Sequence, residues 1–443
     1  VSANDLLIHG GRVVFEDGVR EADVRIAAGR IAEVGPALAA PPEVPRLDAR
    51  GKLVFPGLID SQVHFREPGL EWKEDLFTGS LCCAAGGITA FFEMPNTKPN
   101  TTTPALLADK LARAKGRAWV DHAFFLGATS ENAEQLGEWE QLPGCAGVKV
   151  FMGSSTGTLL VPDDPTLERV LRSGSRRVAI HAEDEPRLQE RYAAMAPGTG
   201  VRLHHEVRDI EAALKATKRL LTLAEKTHRK VHVLHVSTAE EIELLRERDL
   251  GELVTAEATP NHLFLCAPDC YERYGRLAQM NPPVRERRHQ ETLREAVADG
   301  TITCIGSDHA PHTLAEKAQP YPKSPSGMPG TQTILPLLLT AVRDGWLQMH
   351  DIVRLLVTGV LRTYPLRDRA PWQKGSVGDA VIVDPSITGP LRLEWLRSRV
   401  GWSPFVGIEL AGWPTTTIRR GAVIYRDHAP VGTPSGEPTH GAA

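Results

Sequence analysis

No stretch of this chain offers the uninterrupted run of about 18 apolar residues that a membrane span requires, so no membrane-embedded segment is expected. Cysteine is scarce. The six present, Cys82, Cys83, Cys145, Cys266, Cys270 and Cys304, lack the spacing of a disulfide framework. Cys266 and Cys270 have no second Cys/His pair nearby, so they read as ordinary thiols rather than half of a zinc knuckle. The first residues, VSANDLLIHGG, have neither the basic start nor the apolar core of a secretory signal, and a reducing cytoplasm is the expected setting. A basic stripe is missing too: the net charge is -4 with lysine and arginine scattered, which argues against nucleic acid as a partner and for small molecules. Nor does a Gly-rich phosphate loop follow the first strand, which counts against an open doubly wound sheet.

What is there suits a large enzyme. The 443 residues, 42% hydrophobic and 24% charged, are enough for one large catalytic domain with a smaller module. Residues 1–55 read as short strands broken by Gly or Asp-Gly, and residues 370–443 repeat that style, so both termini are expected to build one composite β-domain. The last dozen residues, rich in Gly, Pro and Thr, are expected to form a loose tail. Between them, residues 56–369 alternate strand candidates with helix candidates such as TPALLADKLARAKG and AEEIELLRERD. The strand candidates run from KLVFPGLIDSQVHF through ITAFFEMPN, WVDHAFFLGAT, CAGVKVFMG, RRVAIHAED, KVHVLHVST and LVTAEATPN to ITCIGSDHAP. Each ends in a polar, chemically capable group, as expected of an α/β fold built on an eight-stranded βα (TIM) barrel whose active site sits at the C-terminal ends of its strands.

Those strand ends collect His64, Lys149, His181, His235 and Asp308, with Glu257 and His262 close behind. A lone histidine at a strand end is more often a hydrogen-bonded core residue than a ligand. Several imidazoles and carboxylates converging on one barrel mouth instead suit zinc, which takes such ligands and keeps one position open in a catalytic site. His232 would share the facing of His235 as a supporting residue, and His122 reads as structural. In GLIDSQVHFREPG, strand alternation would turn Gln62, His64 and Arg66 one way. Lys149 does not fit a metal site as an ammonium. On its own it reads as a strand-end ion pair, unless CO2 carbamylates the amine into a carboxylate able to bridge two metals.

The segments GLIDSQVHFREPG, FFEMPNT, GVKVFMG, VAIHAEDE, VHVLHVST, AEATPNHLFL, MNPPVR and IGSDHAPHT together closely resemble dihydroorotases of the amidohydrolase superfamily, and the resemblance spans nearly the whole chain. It implies a zinc enzyme of pyrimidine biosynthesis that interconverts N-carbamoyl-L-aspartate and L-dihydroorotate. Its metal ligands would be His64, Lys149 (N6-carboxylated), His181, His235 and Asp308, with Asp308 also the catalytic acid/base. A substrate-carboxylate clamp of Arg66 and Asn96, with Asn281 and His312 completing the pocket, is implied as well. So are a homo-oligomer and a partnership with aspartate carbamoyltransferase. A guanidinium fork suits a carboxylate, which dihydroorotate carries and hydantoins and allantoin do not. Read without the resemblance, Arg66 could equally pair with Glu67 or Glu71 at the surface.

The pattern breaks at two places. Gln62 stands where the family's His-x-His pair has its first histidine, and Asn261 replaces the first histidine of the common PHHL. A glutamine amide is a poor substitute for imidazole toward zinc, so one zinc is expected to bind tightly and a second weakly or not at all. Beside the enzyme stand a non-catalytic scaffold for aspartate carbamoyltransferase and a hydantoinase-like or allantoinase-like activity. The retained clamp, lysine, histidines and aspartate favour the enzyme.

Overall fold

The computed structural model describes residues 4–439 except 156, together with 441. Both ends of the chain build one sheet. Strands β1 (Leu6–Phe15), β2 (Gly18–Ala27), β3 (Arg30–Gly35), β4 (Arg46–Asp48) and β5 (Leu53–Pro56) come from the N-terminal side. After the central region the chain adds β14 (Ala380–Pro390), β15 (Glu409–Arg419), β16 (Ala422–Arg426) and β17 (Ala429–Pro430). The two halves join where β5 pairs antiparallel with β14, from Leu53 opposite Val383 to Pro56 opposite Ala380.

Between them lies a parallel sheet of eight strands in sequential order: β6 (Leu58–Val63), β7 (Ile88–Glu93), β8 (Asp121–Gly127), β9 (Cys145–Phe151), β10 (Val178–His181), β11 (Val231–Val233), β12 (Val254–Ala258) and β13 (Cys304–Ile305). A hydrogen bond from the His64 N–H to the His309 carbonyl, 2.7 Å, brings the end of β6 against the chain leaving β13 and nearly closes the barrel. Almost every strand residue is buried, because helices cover one face and the barrel interior the other. That interior is filled by Ile59, Ala90, Phe92, Phe125 and Ala179. Several of the helices start at side-chain caps, among them Thr103 before Pro104–Ala114, Asp209 before Ile210–Thr227 and Thr238 before Ala239–Arg248.

Three expectations change. The run KLVFPGLIDSQVHF is two strands, and Gly57 is the joint between the two sheets. A Cβ there would lie 2.4 Å from Asp379 Cβ, so only glycine lets β5 and β6 turn past β14. Strand alternation does not reach Arg66, because β6 stops at Val63 and Arg66 has φ +68°. The C-terminal segment is docked rather than loose. Gly436 and Thr439 donate backbone hydrogen bonds to the Ala118 and His122 carbonyls, both 2.8 Å. The Glu437 N–H binds Asp121 Oδ1 at 3.0 Å. Asp121 is a buried carboxylate that also holds Arg369 and Arg419 at 2.5 and 2.6 Å, and its need for donors draws the segment in.

Candidate active site and metal centre

The C-terminal ends of the barrel strands open into one cavity, lined among others by Gln62, His64, Arg66, Asn96, Lys149, His181, His235, Asn281 and Asp308. The side chains sort into two groups. On one side, His181 Nδ1 faces His235 Nε2 at 3.1 Å. His181 Nε2 lies 2.8 Å from Glu183 Oε2, so that nitrogen carries the proton and Nδ1 is left with a bare lone pair pointing at His235. Glu183 is ionised: burial works against its charge, but Arg208, whose Nε donates to Oε1 at 3.0 Å, and His181 hold its carboxyl well below the usual range. This Glu183–Arg208 pair fixes the tautomer of His181, and reading the sequence missed it. The only local signal was a carboxylate two residues past His181.

On the other side, His64 Nδ1 lies 2.7 Å from Asn96 Oδ1 and is the protonated nitrogen. His64 Nε2 then meets Asp308 Oδ1 at 3.1 Å, lone pair against carboxylate. Burial depresses the imidazole pKa, so the ring does not supply a second proton of its own. Two acceptors at this distance suit a cation between them. The donor set as a whole fits a metal on the same ground, since His235 Nδ1 and Gln62 Oε1 are also buried without a hydrogen-bond partner among the described residues. Gln62 Nε2 donates to Asp308 Oδ1 at 3.2 Å.

Lys149 reaches into the cavity from β9 with its Nζ 4.4 Å from the Phe151 ring centre, and among the described residues it makes no ion pair. Burial lowers its pKa to about 7. Burial thus favours the neutral amine, which is the form that reacts with CO2.

Arg66 is 1% exposed and lines the cavity. The expected alternative partners are engaged elsewhere or too far: Glu67 is held by Arg117 at 2.6 Å, and no carboxylate pairs with Arg66 among the described residues. Its contacts are a donated bond to the Pro311 carbonyl and an approach to His312 Nε2, both 3.2 Å. Burial brings its pKa down to about 10, so it stays charged. His312 stands one layer back, between Arg66, Lys73 and the Ser326 carbonyl. His262 is held by Thr259 and the Pro282 carbonyl, and Glu257 by Ser61 and His232, all away from the lining. His232, Glu257 and Cys304 lie close together in the barrel core beneath the site. His122 is buried against Phe91, and all six cysteines are free thiols.

Comparison with known proteins gives the family. The model of the amidohydrolase family matches residues 53–341. A dihydroorotase of Methanosarcina mazei is 34% identical over 437 residues, covering 96% of this chain and 95% of that protein. A dihydroorotase of Geotalea daltonii is 34% identical, with 95% and 99% covered. Among solved structures, an L-hydantoinase (dihydropyrimidinase) from Arthrobacter aurescens superposes with a TM-score of 0.92 at 28% identity over 98% of this chain and 99% of that one. A D-hydantoinase from Thermus sp. gives 0.89 at 25%, with 98% and 99% covered. At that level of identity, across essentially their full length, the chain belongs to the amidohydrolase family and, within it, to the dihydroorotases.

Proposed function

We propose that this chain is a zinc-dependent dihydroorotase that opens and closes the ring joining L-dihydroorotate and N-carbamoyl-L-aspartate, a step of pyrimidine biosynthesis. One observation carries the choice over a hydantoinase: a buried, charged Arg66 in the cavity with no carboxylate paired to it among the described residues. A buried cation left unpaired is costly, and a carboxylate-bearing substrate supplies the missing partner. Hydantoins and dihydrouracil carry none.

His64, Lys149, His181, His235 and Asp308 would hold the metal, with Lys149 carboxylated on Nζ. Zinc bound there supplies a Lewis acid that polarises the ring amide carbonyl and activates water. Asp308 takes a proton from the attacking water and delivers it to the ring nitrogen as the C–N bond breaks; closure runs the same transfers backwards. Arg66 and the Asn96 amide hold the substrate carboxylate throughout, and Asn281, which lines the same cavity, adds a contact. The free thiols suit a reducing cytoplasm. A homo-oligomer and contact with aspartate carbamoyltransferase rest on the family resemblance alone.

Assays on L-dihydroorotate, hydantoin and dihydrouracil test the assignment. Turnover is expected on the first, and faster turnover of either neutral ring would overturn it. Arg66→Ala is expected to raise KM for both carboxylate substrates at least tenfold with kcat less affected, because the clamp acts on ground state and transition state alike. Unchanged kinetics with only a lowered Tm would assign Arg66 a structural role.

The metals are expected to split in affinity. Lys149, His181 and His235 give one site three ligands, whereas Gln62 leaves the site of His64, Lys149 and Asp308 one nitrogen short. Dialysed protein should retain one zinc per chain, and Gln62→His should retain two. Two zincs retained by the wild type would show that Gln62 Oε1 ligates after all.

A further inference from the structure

We infer that His204 is a positioning residue which, with Tyr321, turns the Asn281 side chain so that its N–H group, not its carbonyl, faces the substrate. This rests on the assignment above, and it names what Asn281 reads: an acceptor oxygen, such as a carbonyl or carboxylate oxygen, rather than a ring or ureido N–H.

The proton positions follow from the contacts. His204 is fully buried on the short helix His204–Val207. Its Nε2 lies 2.9 Å from the Met280 carbonyl oxygen, a group that only accepts, so Nε2 bears the hydrogen. The same nitrogen lies 3.1 Å from the Asn281 side-chain oxygen. Were that amide reversed, its NH2 would confront the imidazole N–H. The oxygen is therefore held outward by His204, and the amide nitrogen is on the cavity side, 3.4 Å from Ser155 Oγ, another lining residue. His204 Nδ1, left without a proton, faces the Tyr321 hydroxyl at 3.1 Å, which donates to it. Burial lowers the imidazole pKa to about 3, so the ring stays neutral and its single proton stays where Met280 and Tyr321 place it. The chain of bonds from Tyr321 through His204 to Asn281 fixes a choice that an isolated asparagine leaves open between two flips.

Steady-state kinetics on metal-loaded enzyme test this in both directions of the reaction. His204→Leu is expected to raise KM about tenfold with kcat within about threefold, and His204→Gln, whose amide can donate to Asn281, to return KM to within about threefold of wild type. Tyr321→Phe should raise KM a few-fold. In an Asn281→Ala background none of these changes should move KM further, because the group they orient is gone. Equal KM in His204→Leu and wild type, equal impairment of the Gln and Leu variants, or full additivity with Asn281→Ala would each overturn the inference. If His204→Leu does not fold, the Tyr321→Phe and Asn281→Ala pair decides alone: additive effects on KM overturn it, and a null effect of Tyr321→Phe without Asn281 supports it. A wild type inert on both substrates would remove the assigned activity itself, whereas an active wild type with indifferent His204 variants removes only this inference.

Discussion

His181→Ala is expected to abolish zinc binding and turnover together, leaving a folded chain. The loss is larger than that of one ordinary ligand. His181 presents a bare Nδ1 toward His235 because its single N–H, on Nε2, donates to Glu183, and Arg208 keeps Glu183 ionised. Truncation removes one nitrogen, leaves the site with Lys149 and His235, too few for a stable zinc centre, and strands a buried Glu183–Arg208 pair with one partner fewer. Metal content after dialysis, dihydroorotate turnover and far-UV circular dichroism would be measured side by side. Retained zinc at wild-type stoichiometry would show that His181 is not a ligand.

Asp308→Asn is expected to lower kcat by about a hundredfold or more, with the fold intact. The amide oxygen of asparagine can still accept from Gln62 Nε2, which bonds Asp308 Oδ1 at 3.2 Å in the wild type, so local packing should survive. What disappears is the group able to take a proton from water and pass it to the leaving nitrogen. Turnover within a few-fold of wild type would exclude Asp308 as the acid/base. A loss accompanied by loss of the tighter zinc would instead point to a structural effect reaching His181 and His235.

Much of this was legible along the chain. Most barrel strands are short apolar runs with a polar, chemically capable residue at or just past their C-terminal end, and helices such as Pro104–Ala114 and Ile210–Thr227 are amphipathic stretches behind a Thr or Asp cap. Burial on a strand or helix face depends on residues a few positions apart, so periodicity reported the barrel, and the strand ends reported His64, Lys149, His181, His235 and Asp308 as lining one cavity.

The rest depended on partners far apart in sequence. No local pattern shows that Gly57 must pass Asp379, or that Asp121 gathers Arg369, Arg419 and the segment around Glu437. Composition made that segment look loose, whereas a buried carboxylate's demand for donors docks it. Likewise, Arg66 read locally could pair with Glu67; only the tertiary arrangement gives Glu67 to Arg117 and leaves the guanidinium buried in the cavity with no carboxylate paired to it among the described residues. The sequence by itself determined the fold class, the family and the chemical groups at the barrel mouth, because these follow from short-range pattern and residue type. Proton positions on His64, His181 and His204, and which charges remain unneutralised, were decided by the tertiary structure alone, because each is set by the neighbours that burial brings within hydrogen-bond reach.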